Sequence, residues 1–127
     1  MGYTTYFQGN FTVNIPDTIP EETIQDYYRA FVRNQKKLDP NLSYCQWELI
    51  IDTNNKYDLC WDQGEKFYDY VEWLQLFLKD PFFSQFETSG LVYFSGEEVL
   101  DTGAIKIENK TVTVYCLQSL LKLAKVI

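Results

Sequence analysis

The sequence predicts an α+β domain: a single, mostly antiparallel sheet with two main helices on one face. The expected order is β-α-β-β-α-β-β-β, with an optional short helix at the C-terminus. Three observations carry this. The N-terminal stretch alternates apolar and polar side chains. Two later stretches, near 19–37 and 62–79, repeat apolar residues at the helical period. Two further pairs of alternating runs are joined by short turns containing Asn. Helices interleaved with hairpins of this kind bury one side of one sheet. The 127 residues are expected to form one domain.

The elements follow in order. In "GYTTYFQGNFTVNI", Tyr3, Thr5, Phe7, Phe11, Val13 and Ile15 share one face, while Thr4, Tyr6, Gln8, Asn10, Thr12 and Asn14 share the other. This is a long strand buried on one side. Gly9 falls in the buried register, where a bulge or a close backbone approach is expected. Thr18 and Glu21 have capping-box spacing, and Ile24, Tyr27, Tyr28, Phe31 and Val32 follow a helical period. They predict a helix from Ile19 to Lys37, ending before Asp39–Pro40. "SYCQWELIIDTNNKYDLCW" reads as a hairpin turning at Asn54–Asn55, with Trp47, Leu49 and Ile51 on one side. Asp62 and Glu65 repeat the capping-box spacing and place the start of a second helix there, ending at Asp80–Pro81. Its buried stripe is Phe67, Tyr70, Val71, Leu74, Phe77 and Leu78. Leu91 to Ser95 reads as a strand, and "GAIKIENKTVTVYC" as a hairpin turning at Asn109–Lys110. The segment after Cys116 is expected to form the optional helix.

Composition narrows the function. The net charge is −7, which argues against duplex nucleic acid, since such binders need a basic footprint. No stretch reaches the ~18 apolar residues of a membrane span, so no membrane partner is expected. Histidine is absent, which removes the commonest general base and the Ser–His and Cys–His pairs. Cys45, Cys60 and Cys116 show no metal-ligand spacing, and no signal-peptide pattern precedes them. They read as reduced thiols in a cytoplasm. No phosphate loop, dinucleotide fingerprint or nucleophile elbow is present. The expectation is a chain without catalytic residues, cofactor or metal.

Aromatic residues make up 17% of the chain, enough to build both a core and a binding surface. On the second helix, Lys66, Asp69, Trp73 and Leu76 form a row at the border of the buried stripe, with Tyr70 beside it. A lysine near a Trp and a Tyr offers a cation to phosphate and ring faces to a base. The alternative is that Trp73 packs inward and Lys66 pairs with Asp69 or Asp62. Gln46 carries both the donor and the acceptor needed to read a base edge-on. Trp47 and Trp61 lie on adjacent hairpin strands, close to the start of that helix.

Several motifs carry a resemblance. "MGYTTYFQGNFTV", "YCQW", "WDQGEKFYDYVEWL" and "SGLVYFSGEEVLDTGAIKIENKTVTV" resemble the motifs of a widespread family of small phage and bacterial proteins. "NQKKLDPNLS" stands where many relatives have a long Gly- and Arg-rich insertion. The resemblance implies a phage protein acting in the host cytoplasm, related to the anti-CBASS sponges that sequester cyclic-nucleotide immune signals without turnover. On that reading Tyr3, Tyr6, Gln46, Trp47, Trp61, Lys66, Tyr70 and Trp73 would stack on the bases and hold the phosphates of a cyclic di- or trinucleotide. A homo-oligomer would close the pocket. The alternative function is an acidic inhibitor that covers a host defence protein by direct contact.

Overall fold

The computed structural model describes residues 3–117 except Thr53, Asn55 and Lys66. The order is β1 (Tyr6–Val13), α1 (Glu21–Leu38), β2 (Trp47–Ile51), β3 (Tyr57–Trp61), α2 (Tyr70–Lys79), a 3-10 turn (Phe83–Gln85), β4 (Thr88–Ser95), β5 (Thr102–Glu108) and β6 (Thr111–Cys116). All strand pairings are antiparallel, in the order β2-β3-β1-β4-β5-β6. The α+β architecture expected from the sequence is therefore present. The predicted C-terminal helix lies outside the described residues beyond Leu117, as does half of the Asn54–Asn55 turn.

Alternation decides which side of the sheet is covered. Phe7, Phe11 and Val13 on β1 register against Phe94, Gly90 and Thr88 on β4, and Phe11 against Leu59 on β3. These side chains face the helices. There Ile24 and Phe31 of α1 and Trp73, Leu74, Phe77 and Leu78 of α2 close one core with Phe67, Phe83, Val92, Ile105 and Ile107. Burying each such side chain contributes about 1.5–3 kcal/mol.

No described helix lies over the opposite side of the sheet. One row across it is Gln8–Tyr93–Ala104–Tyr115, and the next is Asn10–Leu91–Lys106–Thr113. Tyr6 and Ser95 extend it at one end, and Glu48, Ile50, Asp58 and Cys60 at the β2–β3 side.

Gly9 does what its position requires. Its φ is +106°, and a Cβ there would sit 2.8 Å from the Leu91 carbonyl oxygen. At the β5–β6 turn, Asn109 and Lys110 both have positive φ, 53° and 61°, as a two-residue type I′ hairpin demands.

Two helix starts differ from expectation. α1 begins at Glu21 rather than Ile19, and Pro20 occupies the N-cap with no side-chain cap bond, so the Thr18–Glu21 capping box does not form. α2 begins at Tyr70, not near Asp62. The Asp62 carboxylate instead accepts the Gly64 N–H at 2.7 Å, and Gln63 turns to a φ of 70°. Phe67 must reach the core, where it is 1% exposed, and residues 62–65 and 67–69 are neither helix nor strand.

Candidate functional site

The sequence placed a binding face on the border of the second helix. The structure buries its Trp73 and leaves Asp69, Tyr70 and Leu76 half-buried. Trp73 is 1% exposed; its indole N–H donates to the Ser43 carbonyl at 2.9 Å and its ring meets Phe31. Trp47 is 3% exposed, donates to the Tyr70 carbonyl at 2.9 Å, and sits among Phe7, Phe11 and Phe67. Neither ring has a face to offer a ligand, which corrects the expectation for both. The inward stripe of α2 is Trp73, Leu74, Phe77 and Leu78, and Trp47 shares the inward side of β2 with Leu49.

The remaining residues divide. Trp61 is half-buried and donates to the Gly64 carbonyl at 3.1 Å, with Tyr6 on its edge. Gln46 donates to the Glu65 carbonyl at 2.6 Å and so holds the 62–65 loop; its Oε1 is buried and has no partner among the described residues. Tyr70 is half-buried between Phe7, Phe67 and Phe94. Burial, with Asp101 nearby, pushes its hydroxyl up to about 12. Tyr3 donates to Asp101 Oδ2 at 2.6 Å and accepts the Glu98 N–H, which ties the N-terminal segment to the β4–β5 loop. Lys66 lies outside the described residues. Among the described expected site residues Tyr6, 58% exposed, stands most open to solvent, on the side of the sheet away from the described helices.

That side gathers what the sequence reading missed. Tyr93 is 56% exposed, Tyr115 45%, Ile50 42% and Leu91 40%. Leu91, Ala104, Lys106 and Tyr115 line a shallow groove of about 540 Å³. Tyr6, Gln8, Tyr93 and Thr102 line a smaller depression of about 250 Å³ on the same face. Lys106 is ion-paired to Glu108 at 3.0 Å. Asp58 and Glu48 lie on this side of β3 and β2. Asp58 is buried beside Asn10 and Thr12, and burial, reinforced by Asp52, raises its carboxyl above the usual range. The signal for this face was available: Leu91, Tyr93 and Ser95 alternate with Val92 and Phe94 in one strand.

Chemically the site can stack and pack. Burial raises the thiol of Cys45, and burial together with Glu48 raises that of Cys60, so neither is prepared as a nucleophile. Among the described residues no three His, Cys, Asp or Glu side chains come together to hold a metal ion, and no described helix is long and apolar enough to cross a membrane. The chain matches no family model, no curated protein and no solved structure.

Proposed function

We propose that the protein acts by binding another protein through the open side of its sheet, without turnover. The observation that carries this is the exposure of Tyr6, Leu91, Tyr93 and Tyr115 together on one face that no described helix covers. Exposed rings grouped in this way mark interaction surfaces, and Tyr supplies much of the affinity at protein interfaces. The fit is to a flat partner, because small-molecule sites are concave and bury most of the ligand. The charge selects the partner further. Glu48, Asp58 and Glu108 lie on this side with Lys106, and Lys56 stands near Asp58, while the whole chain carries −7. The complementary surface is apolar at its centre and basic around it. In a phage protein of the kind the motifs resemble, such a partner would be a host defence protein.

A second reading, capture of a cyclic di- or trinucleotide, is favoured by the placement of Gln8 between Tyr6 and Tyr93 around one depression. Rings and an amide suit a base. The same carboxylates that suit a basic protein repel phosphates, so this reading ranks second.

The test uses the immobilised full chain and a bacterial lysate, beside Tyr93→Ser and Tyr115→Ser. A specific protein retained by the parent chain, lost with both variants and released by moderate salt supports the proposal. Losing an interface Tyr typically costs about 2 kcal/mol or more, a weakening of roughly thirtyfold. Equilibrium dialysis against a panel of cyclic di- and trinucleotides provides the opposite arm. Stoichiometric retention of one of them, with no protein captured, overturns it in favour of the nucleotide.

A further inference from the structure

The two outer strands of the sheet end differently. β2 has partners on its outer edge. The Asp62 N–H donates to the Gln46 carbonyl and the Asp52 N–H to the Lys56 carbonyl, so the even-numbered residues of β2 bond inward and Trp47, Leu49 and Ile51 face out. α1 covers that edge: Tyr28 Oη donates to the Trp47 carbonyl, and Gln25 Nε2 to the Leu49 carbonyl at 2.7 Å.

β6 is the other outer strand. In a two-residue hairpin the residues flanking the turn exchange both hydrogen bonds, so Glu108 pairs inward with Thr111. The alternation then sends the N–H and C=O groups of Val112, Val114 and Cys116 outward. No described side chain bonds them. The strand, "TVTVYC", contains no Lys, Glu, Asp or Pro, the residues that ordinarily protect an edge. Val114 is 37% exposed on the helix side, where Ile105, its neighbour on β5, is 0% exposed.

The geometry points to antiparallel pairing of this edge with the same edge of a second copy, about a two-fold axis at Val114. The register follows from the backbone. Facing strands keep their sides continuous only when the two-fold axis falls on a residue. With the axis at Val114, Val114 opposes its own copy and Val112 opposes Cys116 of the second copy, so every outward group finds a partner. With the axis at Thr113, Cys116 is left opposite the turn. The chosen register also sets Thr113 of the second copy beside Tyr115, so the open face runs unbroken across the axis. A closed two-fold uses both edges and leaves no free template for further growth there. This inference is independent of what the open face binds.

The mass of the full chain in solution, by sedimentation or light scattering, is the first measurement. A dimer is expected. Val114→Pro removes an N–H that points away from β5, so the internal ladder is intact. It should give a monomer with unchanged far-ultraviolet circular dichroism. The register has its own readout. Opposed residues of a hydrogen-bonded pair lie about 5.5 Å apart at Cα, inside the range a disulfide spans. Val114→Cys, made with Cys116→Ser, should cross-link to itself on mild oxidation. Val112→Cys should cross-link to Cys116 of the second copy and lose that link with Cys116→Ser. A full chain that stays monomeric at its highest soluble concentration overturns the pairing. So does a dimer that Val114→Pro leaves intact, or one in which neither cysteine variant cross-links.

Discussion

Replacing Trp73 by Ala separates the two roles an aromatic residue in this chain can have. The ring is 1% exposed, and its N–H donates to the Ser43 carbonyl. Ser43 is itself clamped to the helix start, since its N–H donates to Asp69 Oδ2 at 2.7 Å while the Asp69 N–H reaches Ser43 Oγ. Trp73→Ala therefore opens a cavity in the core and strands a carbonyl at the mouth of α2. Truncations of buried Phe or Trp cost about 3–5 kcal/mol. Domains of this size have a total of about 5–15 kcal/mol, so the variant gives up a large share of its stability. Trp73→Phe retains most of the buried ring but leaves the Ser43 carbonyl without its donor, a loss of about 1–3 kcal/mol. Urea denaturation followed by circular dichroism measures both. The midpoint should fall for Phe and fall further for Ala, with the slope unchanged. A ring that served a ligand at the surface would give changes within about 0.5 kcal/mol for either substitution. A Trp73→Ala loss below about 1 kcal/mol would refute the burial argument for this residue and return it to the candidate site.

Two other substitutions test the sheet. Gly9→Ala places a Cβ against the Leu91 carbonyl at a φ of +106° and should cost about 1–3 kcal/mol, read as a lower thermal midpoint; an unchanged midpoint would show that the strand relaxes there at no cost. Asp58 binds its proton more tightly folded than unfolded, because burial and Asp52 raise its carboxyl above the ordinary range. Its ionised form thus opposes folding above that raised value, and the opposition fades as pH falls from there to the ordinary carboxylate range and is gone below it. Asp58→Asn should accordingly raise the thermal midpoint at neutral pH and leave it nearly unchanged in acid. An equal gain at both pH values would mean that charge is not the cause.

What was legible in the sequence was local. Period-two alternation put Phe7, Phe11 and Val13 on one side of the first strand and Tyr6 and Gln8 on the other, and the ladder obeys it. The β5–β6 turn was legible at Asn109–Lys110, because few residues accept a left-handed conformation. The start of the second helix was not. Asp62 and Glu65 have the right spacing for a cap, but the position of Phe67 is set by Phe7 and Trp47, which are distant in sequence. Counting Phe67 and Val71 into the helix's inward stripe displaced its centre and left Trp73 at an apparent border, although Leu74, Phe77 and Leu78 were assigned inward. The open face was half legible. Alternation marks Tyr6, Tyr93 and Tyr115 as sharing a side within their own strands. That they share one surface depends on β1 lying between β3 and β4, a long-range pairing no local pattern encodes.

The indole groups also explain what the stretch from Trp61 to Leu74 does. Each Trp N–H is spent on a backbone carbonyl: Trp47 on Tyr70, Trp61 on Gly64, Trp73 on Ser43. Gln46 does the same with Glu65, and Phe67 plugs the core between these anchors. "WDQGEKFYDYVEWL" is thus largely a clasp that carries the chain from β3 to α2 without helix or strand to satisfy its polar groups. A loop so placed must find its hydrogen bonds in side chains. Proteins that share the motif are therefore expected to share the clasp and the fold. The side chains that face outward from β1, β4, β5 and β6 are free of that constraint. Under the proposed function, the choice of partner is to be sought in those positions, in Tyr6, Leu91, Tyr93, Lys106 and Tyr115 of this chain, and not in the clasp.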